Sequence, residues 1–169
     1  MTNIYYKEID GEIIQFTGIL YVDGKQIIHP THEILIENGW TLKEPDINDA
    51  KEQKIRDILD YDSSNNVNEF YVNGMSGWFD KETRSNFRGS LNDAELLGET
   101  QVSVPINGHV VTLPIQNAKL FLAQIQRYAD ACTIVTTTHI EEVEALNTIE
   151  AVEAYDITVG YPTKLTFTI

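Results

Sequence analysis

Half of the glycines in this chain, five of ten, follow Asp or Asn, and that placement constrains the fold more than any other feature. An Asx-Gly pair accepts positive φ at both positions, which a two-residue turn between antiparallel strands requires. Asp10-Gly11 splits IYYKEIDGEIIQF into two β-rich runs, and Asp23-Gly24 does the same for GILYVDGKQIIH. These two neighbouring hairpin signals predict a small antiparallel sheet. Asn73-Gly74 in EFYVNGMSGWF and Asn107-Gly108 in QVSVPINGHVVTLPI predict two further hairpins. In the last of them Val102, Val104 and Ile106 alternate on the first strand, and Val111 and Leu113 on the second. The fifth pair, Asn38-Gly39, follows the apolar run Ile34, Leu35, Ile36 and ends a short helix for which Thr31 is the candidate cap.

Between the turns the apolar spacing is helical. TLKEPD is a break, after which Asp46 or Asn48 can cap a helix over 47–61 with Ile47, Ile55, Ile58 and Leu59 on one face. The polar run DYDSSNNVN ends that helix and reads as a linker. Asp80 is placed to cap a helix over 81–97 that turns Phe87, Leu91, Ala94 and Leu96 or Leu97 to one side. The stripe Ala118, Phe121, Leu122, Ile125, Tyr128, Ala129 and Cys132 defines a helix over 116–132. Thr138 and Glu141 have capping-box spacing, which predicts a separate helix from 139 with Ile140, Val143 and Leu146 on its apolar face. Thr148 caps one more, carrying Ile149, Val152 and Tyr155, and a Gly-Tyr-Pro turn leads to a terminal strand that alternates Leu165 and Phe167. The expected architecture is α+β. It has a small antiparallel β unit over 1–43, a connecting helix and linker over 44–68, and a domain over 69–169 of β-hairpins packed on three to four helices.

The 26 acidic and 12 basic side chains give a net charge of −14. Such a chain repels phosphate backbones and lacks the basic clusters that nucleic-acid binding needs, so no nucleic-acid partner is expected. From Tyr128 to Thr163 there is no Lys or Arg, while Asp130, Glu141, Glu142, Glu144, Glu150, Glu153 and Asp156 fall there. That segment is either a solvated helical face or a docking surface for a basic protein. No apolar run approaches the ~18 residues of a membrane span, so no membrane partner is expected. The N-terminus lacks the basic start and apolar stretch of a secretory leader. The single cysteine, Cys132, cannot form an internal disulfide and lies on an apolar stripe, which marks it as a small buried hydrophobe in a reducing or assembled-particle setting.

No catalytic motif is present, and no cofactor or metal is expected. His29 and His32 stand three apart, but no second ligand pair accompanies them. Residues 60–71 imitate a calcium loop: Asp60, Asp62, Ser64 and Asn68 hold the first, third, fifth and ninth places, but Asn65 replaces the sixth-place Gly and Tyr71 the twelfth-place Glu. The densest stretch is WFDKETRSNFR, which holds two of the four arginines. Arg84 and Arg88 lie one helical turn apart, so both guanidinium forks can face one way and bind carboxylate or phosphate. The plainer reading is an Asp80–Arg84 pair along the helix, with Trp78 packed over its start.

Two stretches resemble phage proteins. IIHPTHEILIENGW is similar to the N-terminal segment of small proteins encoded among tail genes of bacteriophages and prophages. WFDKETRSNFRGSL, with the later GYPTKLTF, resembles a phage-associated domain family of unknown function found beside tail-fibre and baseplate genes. The first resemblance spans about 3–42 and the second about 69–169, and Trp78, Phe79, Arg84 and Arg88 fall in the most recognisable core of the second. The resemblance implies a non-enzymatic tail or virion component, or a tail-fibre assembly factor. Such a protein would meet other tail or virion proteins, in the particle or in the host cytoplasm during assembly. Two other readings compete. One is a small tail hydrolase of a cell-surface polymer, using Trp78, Tyr71 and paired carboxylates. The other is an acidic anti-host protein that mimics nucleic acid.

Overall fold

The described residues are 4–43 and 46–169 of a computed structural model, and the expected break at Glu44-Pro45 lies outside them. The fold is α+β, and the chain divides between Asp46 and Ile47 into two compact units. Four of the five Asx-Gly pairs are hairpin turns. Asp10, Asp23, Asn73 and Asn107 have φ of +45 to +52°, and the glycines after them +75 to +84°, the mirror-image turn that matches strand twist. Asn38, at φ −95°, is instead a helix cap, and Gly39 takes the left-handed position behind it.

In the first unit β1 (Tyr5–Ile9) pairs with β2 (Glu12–Gln15), and β3 (Ile19–Val22) with β4 (Lys25–Ile28). Helix α1 (His32–Glu37) follows, and β5 (Thr41–Leu42) returns antiparallel to the free edge of β1. The single sheet expected here is two sheets, β2-β1-β5 and β3-β4. Gly18, at φ +105°, turns the chain out of the first hairpin, and the His29 amide closes the second onto the Gly18 carbonyl. Tyr5, Leu20 and Leu35 form the core, with Phe16 edge-on to Trp40. Thr31 holds the N-cap position of α1 but its side chain makes no capping hydrogen bond, and Lys7 Nζ donates to the Asn38 carbonyl at the other end of the helix.

The second unit contains α2 (Ile47–Ser63), β6 (Phe70–Val72), β7 (Met75–Gly77), α3 (Lys81–Leu96), β8 (Gln101–Ile106), β9 (His109–Pro114), α4 (Ile115–Ala145), α5 (Ile149–Ala154) and β10 (Thr166–Phe167). The β8–β9 hairpin has the expected alternation, with Val104, Ile106 and Leu113 buried. Strand β10 lies parallel to β6, pairing Thr166 with Tyr71 and Phe167 with Val72. This brings Phe167 into an edge-to-face aromatic group with Phe70 and Phe121, and Phe79 joins through both of these. Gly77 is required at the centre of this packing, because a Cβ there would lie 2.8 Å from Ile106 Cγ2.

Three expectations change. The helices predicted at 116–132 and from 139 are one helix of 31 residues, α4. Thr138 does not cap: its hydroxyl donates to the Ile134 carbonyl one turn back, as Thr133 does to Ala129 and Thr137 to Thr133. A run of β-branched residues is compatible with a helix when its hydroxyls bond back in this way and its other face is buried. Next, α2 is no connector. Ile58 is fully buried with Val143 and Val152, and α2 packs on α4 and α5. Lys51 Nζ donates to the Glu144 carbonyl, and Lys54 Nζ to those of Glu153 and Tyr155, so two lysines of α2 satisfy the C-terminal ends of α4 and α5. Finally, Leu59, Leu96 and Leu97 face solvent. The caps Asp80 and Thr148 form as read, accepting from the amides of Thr83 and Ala151.

The C-terminal segment is pinned by Lys164, whose Nζ donates to Glu69 Oε2 at 2.6 Å and to the Asn65 carbonyl at 2.7 Å. Tyr71 donates to the same Glu69 oxygen, and these bonds, Lys164 first, hold the Glu69 carboxyl below its usual range. A carboxyl whose pKa is lowered by folding contributes stability above its ordinary value and loses it as pH falls through the lowered one. Glu69→Gln should therefore flatten the decline of melting temperature below about pH 4, read by thermal unfolding across pH. Ile58→Ala should cost about 3 kcal/mol in urea unfolding, whereas Leu59→Ala should stay within about 0.5 kcal/mol. A helix that only connected two units would show no such contrast.

Candidate functional site

The site begins at the start of α3. The Asp80 carboxylate accepts from the Thr83 amide at 2.7 Å, which fixes the first turn and lowers the Asp80 pKa. One turn in, Arg84 is buried, with 9% of its surface exposed. The expected Asp80–Arg84 pair is not what holds it, since the cap occupies Asp80. Arg84 Nη1 donates to the Phe79 carbonyl at 2.6 Å, and Nε to Gln126 Oε1 of α4 at 3.0 Å. Gln126 in turn donates to Asp130 Oδ1 at 2.7 Å. Trp78 stands half-buried with its ring 5.8 Å from the Arg84 guanidinium carbon and edge-on to Tyr128. Phe79 is buried in the aromatic core. Burial lowers the Arg84 pKa against the fields of Asp130 and Asp80, and a guanidinium so placed remains a cation.

Arg88 has the opposite environment. It is exposed, and it shares with Arg84 an open groove of about 530 Å³ between α3 and α4. Lys81, Arg84, Ser85 and Arg88 of α3 line one wall, and Gln126, Asp130 and Thr133 of α4 the other. Among the described residues no ion pair or hydrogen bond engages the Lys81 ammonium or the Arg88 guanidinium, and none accepts from Arg84 Nη2. The groove thus gathers three of the twelve basic side chains against one acid, in a chain of net charge −14. Its donor set suits carboxylates: one fixed fork, one free fork and one point charge, with the Ser85 hydroxyl between them.

The other sequence candidates are engaged elsewhere. Asp60 and Asp62 stand in the last turns of α2 instead of in a calcium loop, and Asp62 accepts from Thr136. Val67 is fully buried, and Tyr71 lies in β6. Among the described residues no group of three or more His, Cys, Asp or Glu side chains is placed to hold a metal. His32 bonds Tyr5 through Nδ1. Cys132 is buried, and burial raises its thiol pKa. Sequence reasoning missed His139, which is buried in α4, donates from Nε2 to the Val159 carbonyl and meets the Tyr155 hydroxyl at Nδ1. Burial and a hydrogen bond to Glu142 push Tyr155 up to about 12. Both ring nitrogens of His139 are used inside the fold, so it offers a ligand nothing. Its i+3 and i+4 spacing from Thr136 and Val143 was the available signal.

The chain matches no protein-family model, no curated protein and no solved structure.

Arg84 and Arg88 should therefore separate under mutation. Arg84→Ala strands the Phe79 carbonyl and Gln126, and should lower stability by about 2 kcal/mol. Arg88→Ala should leave stability within about 0.5 kcal/mol. Urea unfolding of both variants checks this.

Proposed function

We propose that the protein is a non-enzymatic bacteriophage tail- or virion-associated protein, a structural component or tail-fibre assembly factor that works through protein–protein contacts. The observation that carries the reading is the cationic groove: among the described residues Lys81 and Arg88 stand unpartnered beside an anchored Arg84 in a strongly acidic chain. Unpaired cations on an acidic protein create a local field of opposite sign to the rest of the surface, which orients an approaching acidic protein face. The stretch that resembles the phage-associated family, residues 78–91, supplies Lys81, Arg84, Ser85 and Arg88, so resemblance and groove coincide. The acidic segment over 128–163 offers a second, complementary face for a basic surface on another tail protein. Among the described residues no helix is long and apolar enough to cross a membrane. The proposed setting is the virion, or the host cytoplasm during assembly.

Mass spectrometry of purified particles from the phage or prophage that encodes the chain should find it at a fixed copy number. Failing that, a tagged chain from cells in lytic growth should bring down an identified tail or virion protein. Absence from particles together with no such partner overturns the proposal. Lys81→Glu with Arg88→Glu should abolish the association while leaving the melting temperature unchanged.

A further inference from the structure

The solvent face of α4 has a symmetry of its own. Positions seven apart on a helix lie nearly on one line, and Arg127, Ile134 and Glu141 are such a set, all exposed. Ile134 is 66% exposed, a β-branched apolar side chain on the outer face of a 31-residue helix. The cation stands seven residues before it and the anion seven residues after. Ala123 and Ala145, also exposed, lie eleven residues on either side, so the face is low at both ends and a second backbone can come close.

From this spacing and charge complementarity we infer that the protein forms a two-fold homodimer, in which the α4 helices of two copies pack antiparallel across Ile134. A two-fold axis at residue 134 sets Ile134 against Ile134 of the second copy. It places Arg127 opposite Glu141 of the second copy, and Glu141 opposite its Arg127. The same operation carries Ala123 to Ala145. A parallel pairing would set Arg127 against Arg127 and Glu141 against Glu141, so charge selects the antiparallel one.

The groove fits this arrangement. Glu144 lies eighteen residues, five full turns, beyond Gln126, so both project on the groove side of α4. Antiparallel packing across 134 brings Glu144 of the second copy to the level of residue 124, two residues before Gln126, to which Arg84 bonds. The unpartnered cations and the acids of the α4 C-terminus thus meet twice, once on each side of the axis. The inference rests on reading the groove as a protein contact and names its occupant, a second copy of the chain. It does not depend on the phage setting.

Sedimentation equilibrium of the full chain at micromolar concentration should give the mass of two chains. Ile134→Glu should give one chain with unchanged circular dichroism. Arg127→Glu alone and Glu141→Arg alone should each weaken dimerisation about tenfold or more, and the double variant Arg127→Glu with Glu141→Arg should restore it. Cys132 is buried, so Ile134→Cys introduces a lone exposed thiol, which should oxidise to a covalent dimer. Ala145→Cys, which faces Ala123 of the second copy, should not. A chain that remains single at hundreds of micromolar overturns the inference. So does a dimer indifferent to Ile134→Glu, or a charge reversal that the double variant fails to rescue. A monomer found in virions would sink the dimer and spare the proposed function; a dimer absent from virions would do the reverse.

Discussion

The second unit depends on one face of α4. A helix of 31 residues is held in water by what it buries, and α4 buries a different partner at each stage of its length. Ala118 and Leu122 meet Leu91 of α3 and Leu113 of β9. Phe121 and Ile125 lie against Phe70, Val72 and Ile106. Tyr128 and Cys132 cover Val67, and Val143 closes on Ile58 and Val152. Each fully buried Val, Leu, Ile or Phe side chain contributes roughly 1.5–3 kcal/mol. The contribution of any one is local, because the clusters follow one another along the helix. The small sheets are too short to stand alone and are stable as lids on this face.

Polar groups fix what the apolar ones only attract. Tyr128 donates to the Val67 carbonyl across 61 positions of chain, and burial raises its pKa. Thr136 donates to Asp62 at the end of α2 and meets the Tyr161 hydroxyl. His139 holds Val159 and Tyr155. Among the described residues no buried side-chain nitrogen or oxygen lacks a partner. A slip of α4 by one turn would strand all three, so these bonds set the register in which α2, the 64–69 loop and the C-terminal segment meet the helix. Arg84 does the same for α3: its bonds to Phe79 and Gln126 fix the groove walls before any partner arrives.

What the sequence disclosed follows from how local each signal is. The four hairpins, the Asp80 and Thr148 caps and the stripe from Ala118 to Cys132 are set within a few residues, and all were legible. The unity of α4 was also written, in the continuation of that stripe through Thr136, His139 and Val143, but buried polar residues hid it and Thr138 offered a false cap. The role of α2 was not legible, because its partners lie some ninety residues away, and the carbonyls that Lys51 and Lys54 reach leave no trace in composition. The parallel pairing of β10 with β6 is equally non-local. In the groove, the pairing of Arg84 with Arg88 was legible from spacing. Their opposite fates were not, because Gln126, forty-two positions on, decides which of them is buried.

The charge order along α4 runs against helix electrostatics. The C-terminus of a helix carries partial negative charge, and acids there cost stability while cations add it. Yet Glu141, Glu142 and Glu144 crowd the end of α4, and no basic residue stands in its last turn. Lys51, brought in by α2, offsets part of the cost at the Glu144 carbonyl. Helix stability alone would have placed those acids elsewhere. At the start of α3 the Asp80 cap and Glu82 are the acids its dipole favours, whereas Lys81 adds positive charge there and, among the described residues, neither Lys81 nor Arg88 is bonded.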